Sequence, residues 1–193
     1  MKIKLIALIL LLGLGLPVPA LNVGAASASK DQVFSALAQL PTAGATLNVR
    51  VQISGYSTAN DAQALRGVLQ DGGPEALLKT LQKMKSIGRI EREGTVGFYN
   101  LKFICSKATP DGGRMIYALA DRPIGFLEAY FDTRSKDYPF GVMELQLKPN
   151  DKGKLKGEGS LVYAAKIKSL EGDRIEVENF SFAPIKLIGV REL

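Results

Sequence analysis

The sequence predicts an α+β fold: a mainly antiparallel meander of about eight strands, barrel-like or sandwich, with a short helical pair inserted after the first strand. Three observations predict it. Residues 46–54 alternate without a break, setting Leu47, Val49, Val51 and Ile53 against Asn48, Arg50, Gln52 and Ser54, which is the period of a half-buried strand. Two apolar stripes at helical spacing follow, divided by Asp71-Gly72-Gly73-Pro74. From Arg89 onward, short apolar segments are separated by turns rich in Gly, Pro and Asp, the rhythm of an all-antiparallel region.

The chain has 193 residues, 46% hydrophobic and 23% charged, a composition and size that suit one globular domain. Its first 28 residues read differently. Lys2 and Lys4 precede an uncharged apolar run from Leu5 to Leu16, Pro17 and Pro19 break it, and small residues follow. That is the three-part pattern of a secretory signal peptide. It predicts a leader over residues 1–28, a single domain over 29–193, and a secreted or periplasmic location. Val23-Gly24-Ala25 and Ala26-Ser27-Ala28 both fit the cleavage rule. The competing reading, an uncleaved anchor, needs about 20 apolar residues, and the run before Pro17 is shorter. No other stretch predicts a transmembrane segment.

Residue counts exclude several chemistries. There is no histidine, so no Ser-His-Asp triad, no Cys-His dyad and no His-based metal site is available. Cys105 is the only cysteine, so no intramolecular disulfide forms; its neighbours Phe103 and Ile104 place it in the core of a strand. Without Lys2 and Lys4 the formal net charge falls by two, from +6 to +4. That mild excess does not predict a nucleic-acid partner. No cofactor motif is present: Gly157-Glu158-Gly159 lies in a strand pattern rather than opening a helix,. Asn150-Asp151-Lys152-Gly153 lacks the density of a calcium loop,.

The elements follow in order. In residues 31–40, Val33, Phe34, Leu37 and Leu40 share one helical face, so a helix is expected there, ended by Pro41. The strand over 46–54 comes next. Thr58 and Asp61 resemble a capping box with Asp in place of Glu, and Ala62, Leu65, Val68 and Leu69 form the first stripe. Gly72-Gly73 stops that helix, and Pro74 suits the first position of the second. Leu77, Leu78, Leu81 and Met84 are its apolar face; Lys79, Lys83 and Lys85 its solvated one; Gly88 is expected to close it. Strands are expected over 89–93, 98–108, 114–120, 141–148, 156–169, 174–181 and 185–192. Gly157 and Gly159 mark a bulge or bend in the long one. Residues 125–137 show no clean period.

Several segments carry a resemblance when taken together: Thr58-Ala59-Asn60-Asp61-Ala62-Gln63, Asp121-Arg122-Pro123-Ile124, Asp137-Tyr138-Pro139-Phe140, Glu144-Leu145-Gln146-Leu147 and Ile175-Glu176-Val177-Glu178-Asn179-Phe180. Their order resembles a group of small exported bacterial proteins of unknown function, over roughly residues 45–193. The resemblance implies export and a similar fold, and carries no site residues.

The richest polar stretch is 121–140, with Asp121, Arg122, Glu128, Asp132, Arg134 and Asp137 among Phe126, Tyr130, Phe131, Tyr138 and Phe140. Aromatics beside arginines suit an anionic or amphipathic ligand, so Arg122, Phe126, Tyr130, Arg134 and Tyr138 are the candidate ligand-binding residues. The competing reading makes the aromatics a plug for one barrel end and the charges surface pairs. No catalytic residues or metal ligands are predicted. Three functions remain open. The first is a non-enzymatic exported domain binding a small apolar or amphipathic ligand or an envelope protein. The second is a hydrolase acting on envelope material through paired carboxylates of 121–137. The third is a structural or protein-interaction module.

Overall fold

A computed structural model describes residues 31–40, 44–125, 137–170, 174–180 and 183–193. The expected leader, the turn at 171–173 and most of the aperiodic segment 125–137 therefore lie outside the described residues.

The described residues form nine strands and one helical element: β1 (Gln32–Gln39), β2 (Thr46–Ile53), α1 (Ala59–Lys83), β3 (Gly88–Arg92), β4 (Tyr99–Ala108), β5 (Arg114–Ala120), β6 (Phe140–Pro149), β7 (Leu155–Leu170), β8 (Arg174–Asn179) and β9 (Ile185–Glu192). All pairings are antiparallel. The first seven strands pair in sequence, and β9 returns between β7 and β1. The additional β6–β7 pairing closes an eight-stranded barrel and leaves β8 outside it, paired to the far half of β7. The alternation of each strand therefore serves a barrel rather than a sandwich.

The helix expected over residues 31–40 is overturned. Residues 32–39 are strand β1, not a helix, and the helical element consequently follows the second strand rather than the first. The inward residues are Phe34, Ala36, Ala38 and Leu40, all buried, while Leu37 is 40% exposed. The true period of two is carried partly by alanines. Ranking side chains by size picks out Leu37 instead and simulates a helical stripe. The pairing of β1 with both β2 and β9 fixes its strand conformation.

Side chains fill the barrel. Phe34, Ile53, Ile104, Ile116, Met143 and Leu145 are fully buried inside it, as in small barrels whose interiors are packed. Ile124 closes one end: it joins the interior cluster, and its N–H donates to the Tyr163 carbonyl at 2.7 Å. At the other end Tyr56 donates to Gln32 Oε1 at 2.6 Å, and Gln32 donates to Glu192 Oε1 at 3.2 Å.

Strand β7 carries the expected irregularity. Its register with β9 shifts between Gly157 and Gly159, and a Cβ on Gly157 would stand 1.9 Å from the Gln146 carbonyl oxygen. Only glycine permits that approach.

α1 starts with a complete capping box. Thr58 Oγ1 accepts from the Asp61 N–H at 3.1 Å, and Asp61 Oδ2 accepts from the Thr58 N–H at 2.7 Å. Gly73, at φ 67° and ψ −168°, bends it in the middle, just before Pro74. The helix ends at Lys83 with Met84 as cap, before Gly88. Gly88 instead opens β3, where a Cβ would meet the Gln52 carbonyl oxygen and Ile104 at 2.7 Å. Leu65, Leu69, Leu77 and Leu81 of α1 face a second apolar cluster on the outside of the barrel, with Phe103, Phe140, Val162 and Val177.

Candidate functional site

The outer cluster does not fill its space. Between α1 and the outer face of β4–β8 lies a crevice of about 90 Å³, lined by Leu65, Leu69 and Leu77 from the helix and Phe103, Leu119, Val142, Ile167 and Val177 from the sheet. Arg66 is the charged side chain of the lining; Cys105 and Tyr117 complete its floor. Burial pushes the Cys105 thiol pKa up, opposed by a hydrogen bond with the Tyr117 backbone. Burial also raises Tyr117, with the nearby Glu144 charge adding to the shift.

The strand arrangement explains why apolar residues appear on both faces here. A bulge between Leu101 and Phe103 reverses the parity of β4, so Leu101 and Ile104 point inward while Phe103 and Cys105 point outward. Strands buried on both faces read as continuous apolar runs rather than alternating ones. Phe103-Ile104-Cys105 and Tyr117-Ala118-Leu119 are such runs. That signal marks the covered side of the barrel.

Of the sequence-based candidates, Arg122 and Tyr138 are described; Phe126, Tyr130 and Arg134 lie outside the described residues, as do Glu128, Phe131 and Asp132. Arg122 is spent on the barrel rim. Its Nη2 donates to the Phe98 carbonyl at 2.7 Å, and its guanidinium lies 4.9 Å from the Tyr99 ring centroid. Tyr99 in turn donates to the Gly125 carbonyl. These residues border an open depression of about 380 Å³.

Tyr138 belongs to a different group. Its hydroxyl donates to Glu178 Oε1 at 2.7 Å, and Lys168 Nζ donates to Glu178 Oε2 at 2.6 Å. Its ring packs on Phe180 with centroids 5.1 Å apart. The bond to Glu178 raises the Tyr138 pKa, and Glu178 likewise raises that of Lys168. Arg122 and Tyr138 thus have separate partners.

Asp121 lies against the fold rather than in the crevice. It is 3.7 Å from Lys102 Nζ, with side-chain exposures of 17% and 11%. Lys102 also donates to the Met84 carbonyl at 2.9 Å and so ties the end of α1 to β4. The Asn150 turn uses its own oxygen: Oδ1 accepts from the N–H groups of Lys152 and Lys154. Among the described residues no group of three acidic or cysteine side chains is placed to hold a metal, and no helix is long and apolar enough to cross a membrane.

The chain matches no family model, no curated protein and no solved structure.

Proposed function

We propose that this chain is an exported, non-enzymatic domain that binds a small apolar or amphipathic ligand in the crevice between α1 and the barrel wall. The crevice carries this reading: it is apolar, partly open, and adjoins a barrel interior that side chains already fill. Ligand sites are typically concave and mostly apolar with few polar groups; at about 90 Å³ and open on one side, this one takes an apolar ring or chain segment rather than a whole enclosed ligand. α1 supplies one wall, and its bend at Gly73 brings Leu69 and Leu77 to the same space. An apolar guest takes the place of water there and gains by the area it buries.

Export rests on residues 1–28, whose charged start, apolar run and small-residue end fit a leader,. Expression in a bacterial host with its envelope fractionated checks it. A mature mass beginning after Ala25 or Ala28 is the expected result; full-length protein retained in the cytoplasm overturns it.

The binding test uses N-phenyl-1-naphthylamine, an uncharged fluorophore. Its emission rises saturably with the folded chain and falls back on denaturation. Val142→Phe, which fills the crevice from the sheet, reduces the affinity about tenfold or more. Ala62→Leu, which fills it from the helix, is the second variant, and circular dichroism confirms that each is folded. Unsaturable emission, or wild-type affinity in both folded variants, overturns the reading.

A further inference from the structure

The outward side chains of β4, β5, β6 and β7 stand in rungs that step from apolar to cationic. The first rung is Phe103–Leu119–Val142–Val162 and lies under α1. The second is Cys105–Tyr117–Glu144–Ser160, and the third Lys107–Met115–Gln146–Glu158. The fourth is Lys148–Lys156–Arg191, where Lys156 is paired in register with Lys148 on β6 and with Arg191 on β9. Tyr117 lines the crevice, and Met115, two residues along the same face, lines a second groove of about 650 Å³ that includes Lys148, Lys156 and Arg191. The two hollows are thus consecutive on one sheet face, about 20 Å from Val142 to Lys148 by strand rise.

Three cations directly opposite one another on adjacent strands repel and weaken the sheet. All three are exposed. Their nearby counter-charges are Asp111, 2.6 Å from Lys148, and Glu158 on the third rung. Arg114 also borders the groove but bonds the Tyr56 hydroxyl, and Arg191 Nε donates to Ser35 Oγ at 3.0 Å, so the three cations of the row face two carboxylates. An anion on the row removes the repulsion, and a doubly charged oxyanion meets three donors better than a single charge does.

We propose that the ligand is an anionic amphiphile whose chain enters the crevice and whose phosphate-type head rests on Lys148, Lys156 and Arg191. This rests on the crevice being the binding site for the apolar part. The row is remote from α1, so its variants leave the crevice intact.

The test compares dodecyl phosphate, dodecanoate, dodecanol and dodecyltrimethylammonium, each below its micelle concentration, as competitors of the naphthylamine fluorophore on the full mature chain. Dodecyl phosphate binds about tenfold tighter than dodecanol at low salt, and the advantage shrinks as salt rises. Dodecanoate falls between them, and the cationic probe binds weakest. Lys148→Ala with Lys156→Ala removes the phosphate advantage and leaves dodecanol unchanged. If dodecanol binds and the head makes no difference, or the double variant keeps the advantage, the head assignment is wrong and the crevice reading stands. If dodecanol does not compete at all, both fall. A dodecanoate affinity equal to that of dodecyl phosphate overturns the phosphate head alone.

Discussion

Gly157 lies against Gln146 so closely that the missing Cβ is a structural requirement: it would stand 1.9 Å from the Gln146 carbonyl oxygen and 3.1 Å from Leu147 Cα. Backbone cannot turn aside as a flexible side chain can. The contact sits where β7 pairs with β6 on one side and β9 on the other, so relief on one ladder disturbs the second.

Gly157→Ala is therefore expected to destabilise the fold by about 1–3 kcal/mol. Gly67, in the first arm of α1, has nothing within 4 Å of its absent Cβ. Gly67→Ala is expected to stabilise by about 0.5–1 kcal/mol. Urea unfolding of the two variants beside the parent reads both. Equal effects would show that the close approach does not govern Gly157.

Lys102 is the buried charge that joins α1 to the barrel, bonded to the Met84 carbonyl and near Asp121. Lys102→Ala leaves that carbonyl and the carboxylate without their partner, and a loss of about 3 kcal/mol is expected. Lys102→Met keeps the packing and lacks the charge, so its loss has the same cause. A Met variant as stable as the parent would mean that the stem, not the ammonium, holds the helix end.

The Thr58–Asp61 cap gives a pH dependence. Hydrogen bonds from the Thr58 backbone and hydroxyl hold the Asp61 carboxyl below its ordinary value. The folded pKa is lower than the unfolded one, so its stabilising contribution is complete above the ordinary Asp value of about 3.9. The contribution is lost as pH falls through the lower folded value. Thr58→Ala is expected to cost about 1 kcal/mol at pH 7. Asp61→Asn should show a shallower loss of stability than the parent below pH ~4. Identical acid limbs for Asp61→Asn and parent, measured by urea midpoints, would exclude the cap as a source.

Cys105 reports on the crevice. Its raised pKa lowers the thiolate fraction at neutral pH, and the thiolate is the reactive form. Iodoacetamide is expected to modify the folded chain about tenfold or more slowly than the urea-unfolded chain. Saturating N-phenyl-1-naphthylamine should slow it again. A folded rate equal to the unfolded one would mean that α1 does not cover the sheet there.

Most of the barrel was legible in the sequence because its strands alternate and its turns use strong signals. β5 and β9 run over the expected residues, and the Thr109–Gly113 turn closes with the Thr109 N–H donating to the Gly113 carbonyl at 3.0 Å. β1 was not legible, because Ala36 and Ala38 carry its inward face and lack the bulk that marks a buried position. The crevice was hidden for the opposite reason. Val142 and Met143 are both apolar, one facing α1 and one facing the barrel, and a single sequence does not say which surface covers which side. Arg122 and Tyr138 are close in sequence and share aromatic-rich surroundings, but their partners are far apart: Phe98 in the loop between β3 and β4, and Glu178 on β8.

The position of β9 also sets an order of events during folding. β1 and β7 both await the same strand, and the bond between Gln32 and Glu192 spans 160 residues. Loop closure over such a separation is slow compared with forming the local hairpins. Before β9 docks, β1 through β7 can assemble as an open, curled sheet with two unpaired edges. The ring shuts only once residues 185–192 are free to slot between them. Until then those edges are templates for pairing with other chains.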